Sequence, residues 1–257
     1  PAEPMAGTGT DGFYRIVHLD CGRKYFSVEN IKKLIDTMAQ YGYNQLQLAF
    51  GNDGFRFLLN EGNMSLTYND GSKDLTISGS DLISKIKAGN VAYTGSQDEA
   101  EKYLTEADVL EIITYADGKK IEIVPLINMP GHAKAMMYAM GNGYYTGDYS
   151  VNLNSTAATN YALAILQKYV DWFANTKKVN YFNFGADEYN SYSHDCNTVD
   201  PFVTECAKII ANAGMTPRSF NDSLRYNQNV NCGLKETLPN NKTLQVCHWG
   251  QGWSGYN

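Results

Sequence analysis

Six short apolar runs, beginning near residues 16, 44, 121, 179, 218 and 244, alternate with segments of helical hydrophobic period. This alternation narrows the available folds most, because strands joined through helices pair in parallel. The run Ile121–Ile127 is almost continuously apolar, as in a strand covered on both faces. After the first strand, Ser27 suits a helix N-cap, Ile31, Leu34, Ile35 and Met38 recur at helical spacing, and Gly42 suits the stop. Further helices are expected from Thr105, whose pairing with Asp108 resembles a capping box, over Asn160–Phe173, and from Pro201 through Ala213, with the proline in its first turn. Residues 61–104 are expected to form an insertion after strand two. It would hold a hairpin turning at Asn69-Asp70-Gly71 and a polar helix over Asp81–Ala88. The 257 residues suit one (β/α)8 barrel, typically about 250 residues, although a doubly wound sheet has the same element order.

Composition removes several classes of function. With 43 % hydrophobic and 19 % charged residues the chain can bury a core. A net charge of −6 without a basic run argues against nucleic acid and anionic membranes as partners. No apolar run is long enough to insert in a membrane, and neither G-x-G-x-x-G nor G-x-x-x-x-G-K-[ST] occurs. The five cysteines have no C-x-x-C spacing, which disfavours zinc. One disulfide among Cys196, Cys206, Cys232 and Cys247 and five free thiols are both open readings, as is the oligomeric state.

In a parallel barrel, chemistry gathers where strands end. Asp20 and Arg23 follow strand one; Asn52, Asp53 and Arg56 follow strand two; Asn128 and His132 follow strand three. Asp187 and Glu188 follow strand four, Asn221 and Asp222 strand five, and His248, Trp249 and Trp253 strand six. Singly, each has an ordinary structural reading: a solvated Asp-Glu loop start, a histidine capping a helix, a surface arginine, a core tryptophan. Together they put polar and aromatic groups on one rim, with the apolar residues behind.

Four stretches carry a resemblance to a known family. They are His18-Leu19-Asp20-Cys21-Gly22-Arg23-Lys24-Tyr25-Phe26, Pro125-Leu126-Ile127-Asn128-Met129-Pro130-Gly131-His132, Asn183-Phe184-Gly185-Ala186-Asp187-Glu188-Tyr189 and Val246-Cys247-His248-Trp249. Their order and spacing resemble glycoside hydrolase family 20, the β-N-acetylhexosaminidases and lacto-N-biosidases, and most of all its bacterial cell-surface branch. The resemblance implies an extracellular or cell-surface enzyme acting on N-acetylhexosamine-containing glycans, with no metal or organic cofactor. Glu188 would be the general acid/base and Asp187 would orient the substrate's 2-acetamido group. Arg23, Asn128, His132, Asp222 and Trp249 would bind substrate, Trp249 as a wall of the acetamide pocket. In substrate-assisted glycosidases the acetamide oxygen attacks the anomeric carbon, so no enzyme nucleophile is needed. Release of a disaccharide, or sugar binding without catalysis, are the alternatives. The family also uses a tyrosine and a late tryptophan on strands seven and eight. The sequence ends at Asn257 just after the sixth strand, so a C-terminally truncated barrel lacking those strands is expected.

Overall fold

The computed structural model describes residues 13–147, 149–189, 196–221, 224, 234 and 236–249. Its main sheet is built from β1 (Ile16–Asp20), β2 (Gln45–Asn52), β3 (Glu122–Met129), β4 (Tyr181–Gly185), β5 (Thr216–Phe220) and β6 (Gln245–Cys247). Each strand pairs in parallel with the next in chain order, from Ile16 opposite Gln45 to Phe220 opposite Cys247. That unbroken order is the one followed around a (β/α)8 barrel, and a doubly wound sheet, whose order reverses midway, is excluded.

The principal helices are α1 (Val28–Gln40), α2 (Gly79–Thr94), α3 (Glu106–Gly118), α4 (Thr156–Asn175) and α5 (Cys196–Asn212). Ser27 caps α1 by accepting from the Asn30 N–H, and Thr105 and Asp108 form a reciprocal capping box on α3. Helix α5 begins at Cys196, not at Pro201, so the proline lies inside it. The apolar stripe explains this: Val199, Phe202, Val203, Cys206 and Ile210 are all buried, which carries the core-facing side back past the proline. Between β2 and α3, the strands Leu66–Asn69 and Asp74–Ile77 form an antiparallel hairpin that is followed by α2. No helix among the described residues is long and apolar enough to cross a membrane.

The outward faces of the strands meet the helices in a continuous apolar layer. At its centre, Phe57 packs edge-on against Tyr169, Trp172 and Phe173 of α4, with ring centroids 4.9–5.7 Å apart. The inward faces are different. Gln45 and Gln47 would face water in an ordinary half-exposed strand, yet all eight residues of β2 are buried. Inside the barrel the amides satisfy one another. Asn183 Nδ2 donates to Gln47 Oε1 at 3.0 Å, and Gln47 Nε2 lies 3.0 Å from His18 Nδ1. Arg218 Nη2 donates to Gln45 Oε1 and to Gln245 Oε1, at 3.0 and 2.8 Å. Buried polar groups are tolerated when paired in this way.

Candidate active site

The C-terminal ends of the strands converge on one polar cluster. Arg23 directly follows a close backbone approach. A side chain at Gly22 would meet the Asn52 nitrogen at 2.6 Å, so glycine lets the loop after β1 lie on the end of β2. Arg56, expected only as a polar residue near a strand end, is 1 % exposed and holds this junction from behind. Its guanidinium donates to the carbonyls of Gly22, Glu99 and Lys102. The structure therefore places Arg56 under the rim rather than in it.

From this junction Arg23 reaches Asp53 through Nε at 3.0 Å and Nη2 at 2.9 Å, and Asp20 through Nη1 at 3.3 Å. Asp53 also lies 3.3 Å from His132 Nδ1, and His132 Nε2 lies 3.1 Å from Glu188 Oε2. Asp53, His132 and Glu188 thus form a row of acid, imidazole and acid. Backbone bonds brace it, because the Asp53 N–H donates to the His132 carbonyl and the Ala135 N–H to the Asp53 carbonyl.

Electrostatics follow from that geometry. Burial opposes the charged form of His132, but the hydrogen bond to Asp53 and the charges of Asp187 and Asp53 prevail, and the imidazole titrates above its ordinary value. For Asp53, burial favours the neutral acid, yet His132 and Arg23 outweigh it and the carboxyl lies below its ordinary range. Arg23 is raised: burial disfavours the cation, while Asp53 and Asp20 more than compensate.

Asp187 and Glu188 are adjacent, and in a regular strand their side chains would point to opposite faces. They share the mouth because the backbone turns left-handed around them, with φ of 82° at Gly185, 60° at Ala186 and 48° at Glu188. Asp53 and His132 are left-handed as well, at 58° and 51°. Non-glycine residues adopt this region at a cost of roughly 1–2 kcal/mol each, and such strain concentrates at functional sites. Glycine is required at 185 on a second count, since a Cβ there would stand 1.9 Å from Asn128 Oδ1. The result is that Glu188 meets His132 while Asp187 turns to Asn128, whose Nδ2 donates to Asp187 Oδ1.

Arg23, Asn128, His132, Asp187 and Glu188, which the sequence places after three different strands, come together at one end of the sheet. Asn128 is 2 % exposed and lies beneath the cleft, against Asn52 and Asp187. Trp249 stands at the same end, following β6, with its backbone N–H donating to Asn221 Oδ1 at 3.0 Å and 45 % of its surface exposed. Asp222 and Trp253 fall outside the described residues, as does Cys232. Cys21, Cys206 and Cys247 are free thiols. Among the described residues no group of three His, Cys, Asp or Glu side chains is arranged to hold a metal ion. Asp53 is the member of the cluster that sequence reading undervalued. In Gly51-Asn52-Asp53-Gly54 it looks like ordinary turn composition, and only its contacts with Arg23 and His132 set it apart.

The glycosyl hydrolase family 20 catalytic-domain model matches residues 13–253. Beta-hexosaminidase B of Pseudoalteromonas piscicida is 31 % identical over 142 residues, covering 51 % of this chain and 17 % of that protein. The N,N'-diacetylchitobiase of Vibrio harveyi is 32 % identical over 133 residues, 51 % of this chain and 14 % of that protein. Among solved structures, the pneumococcal virulence factor StrH superposes with a TM-score of 0.81 at 30 % identity, over 95 % of this chain and 60 % of that one. A second structure, from work on the tandem catalytic modules of pneumococcal exo-beta-D-N-acetylglucosaminidase StrH, gives 0.79 at 29 %, over 95 % and 61 %. The chain therefore spans less than a fifth of these two curated relatives and about three fifths of these structures. With the match running through nearly all of its length and through every strand that carries the polar cluster, the chain belongs to glycosyl hydrolase family 20.

Proposed function

We propose that this chain is the catalytic domain of a retaining glycosidase that hydrolyses terminal β-N-acetylhexosaminide linkages with the help of the substrate's own acetamide. The observation that carries the reading is the division of labour between adjacent carboxylates, Glu188 on His132 Nε2 at 3.1 Å and Asp187 on Asn128. Asp20 and Asp53, also at the mouth, are both ion-paired to Arg23. That leaves one adjacent pair for chemistry and suits a mechanism in which the acetamide oxygen is the nucleophile.

In this scheme Glu188, with 43 % of its side chain exposed, protonates the departing glycosidic oxygen as the acetamide oxygen closes on the anomeric carbon. The product of that step is an oxazolinium ion. Asp187 accepts the acetamide N–H and stabilises the positive charge that develops there. Water then opens the oxazolinium, giving its proton to Glu188, and configuration at the anomeric carbon is retained. His132 relays the charge of Asp53 to Glu188, Arg23 offers donors to sugar hydroxyls, and Trp249 supplies an apolar wall for the acetamide methyl. The relatives named as hexosaminidases and as an exo-beta-D-N-acetylglucosaminidase support release of a single sugar.

The test is aryl alcohol release by the full protein from an aryl N-acetylglucosaminide, the matching aryl glucoside and an aryl lacto-N-bioside. Turnover of the first alone supports the reading. Equal turnover of the glucoside would show that the acetamide takes no part, and preference for the lacto-N-bioside would make the enzyme a disaccharide-releasing one.

A further inference from the structure

We propose that Asn128 is the positioning residue of Asp187, and that Asp20, Asn52 and Asn128 form a second row, parallel to Asp53–His132, through which Arg23 anchors both catalytic carboxylates. The inference rests on the function proposed above and assigns the support for its acetamide-binding carboxylate.

The polarity of the row is fixed from its far end. An ionised carboxylate only accepts hydrogen bonds. Asp20 Oδ2 accepts from Arg23 Nη1 at 3.3 Å and from Asn52 Nδ2 at 2.8 Å. With its amino group committed to Asp20, Asn52 presents its carbonyl oxygen to Asn128, whose Nδ2 donates to it at 3.0 Å. An amide nitrogen carries two hydrogens, and the second goes to Asp187 Oδ1. Turning the Asn128 amide over would set its oxygen against both Asn52 Oδ1 and Asp187 Oδ1, so the row ends in a donor aimed at the carboxylate.

Two further observations show that Asn128 is held for its nitrogen. Its Oδ1 is buried without a hydrogen-bond partner, a cost that cores usually avoid. It is also enclosed by the backbone at Gly185, where a Cβ would stand 1.9 Å from that oxygen. A residue merely filling space here would be apolar. The two rows share Arg23: one runs through Asp53 and His132 to Glu188, the other through Asp20, Asn52 and Asn128 to Asp187.

The experiment compares Asn128→Leu, Asn128→Asp and Asn52→Leu in the full protein, by kcat and KM on aryl N-acetylglucosaminides across pH, with melting curves for each. Asn128→Leu should lower kcat on the order of 10–100-fold, the loss expected when a hydrogen bond to a charged group is removed. Its pH profile and leaving-group dependence should match wild type, because the Glu188 row is intact. Asn128→Asp places two carboxyls in contact, and such a pair retains a shared proton to higher pH. While that proton stays on the new carboxyl it replaces the amide donor to Asp187, so activity should persist at acid pH and fall as pH rises and the two carboxylates repel, moving the alkaline limb of the profile downward. Asn52→Leu, one step further back, should show a smaller loss in the same direction and serves if Asn128→Leu does not fold. Wild-type kcat in the Leu variants, or a wild-type alkaline limb in Asn128→Asp, overturns the proposal. If the wild-type protein itself leaves N-acetylhexosaminides untouched, the proposed function fails, and a crystal structure of the Asn128→Leu or Asn52→Leu variant decides this inference separately. Asp187 should move from its place while Glu188 stays on His132, and an unmoved Asp187 overturns it.

Discussion

Arg23 and Arg218 are both strand-associated arginines in the same barrel, and they differ in almost every physical respect. Arg218 faces the interior near the N-terminal ends of the strands and is 2 % exposed. Its acceptors are the neutral side chains Gln45 and Gln245, and Tyr181 covers it at 5.0 Å from the ring centroid. Burial pulls its pKa down, with Cys247, Tyr181 and Glu122 resisting. Arg23 is at the mouth with 41 % of its side chain exposed and two carboxylates beside it, and its pKa is pushed up. The floor of the barrel isolates charge among groups that hold one geometry. The mouth gathers charge where solvent and a substrate can enter. Substitutions at the mouth should therefore cost rate, and substitutions at the floor should cost stability.

The largest expected effect is catalytic. Glu188→Gln removes the proposed proton donor, and general acid catalysis contributes about 10²–10⁴-fold. The loss should be steep for poor leaving groups and shallow for activated phenols, which depart with little protonation. Asp187→Asn should cost about 10²–10³-fold, with the loss persisting for activated phenols because it concerns the charge on the acetamide. A plot of rate against leaving-group pKa for both variants checks this. Steep dependence in Asp187→Asn and not in Glu188→Gln would reverse the two roles. Neither change should lower the melting temperature by more than a few degrees, since both side chains lie at the open end.

The complementary change is Arg218→Met. It leaves the Oε1 of Gln45, a residue with no exposed surface, without its donor, at about 1–3 kcal/mol. It also removes the cation that helps Glu122 remain ionised against the burial that raises its pKa. The melting temperature should fall by roughly 5 °C or more, at about 2–4 °C per kcal/mol for a chain of this size. Activity per folded molecule should stay near wild type. A variant that melts like wild type but loses activity would erase the distinction between floor and mouth.

The same distinction explains what the sequence revealed. Strand order and the identity of the rim were legible because both are written in local pattern: apolar runs, helical spacing, and polar residues where runs stop. The content of the barrel was not. Gln45 and Gln47 alternate with Leu46 and Leu48, and alternation of this kind ordinarily marks a strand with one wet face. A barrel interior that satisfies its own amides gives the same letters. Pro201 misled in the opposite way, since a proline suggests a helix start but the buried Val199 extended the core-facing stripe behind it. Asn128 was legible as a polar residue near a strand end, but its place under Asp187 depends on Asn52, 76 residues away in the chain. Asp53 depends on contacts with Arg23 and His132 that no local pattern encodes.

The smallest expected effect sharpens the comparison at the mouth itself, through the Asp53–His132 pair. His132 has a raised pKa in the folded protein, so its contribution to stability is present in full below the unfolded value near 6.5 and is lost as pH rises through the folded one. Asp53 has a lowered pKa, so its contribution is present above the unfolded value near 3.9 and is lost as pH falls through the folded one. Both are present in full only from about pH 4 to about pH 6.5. Asp53→Asn removes the anion, and the difference in melting temperature between wild type and this variant should be greatest in that window. It should shrink at higher pH as His132 loses its proton, and at lower pH as Asp53 gains one. One side of the pair opens to solvent, so the maximum should be no more than about 1 kcal/mol and should diminish with added salt. A difference that stays constant from pH 5 to pH 9 would mean that His132 does not hold its charge against Asp53, and that the row reaches Glu188 through a neutral imidazole.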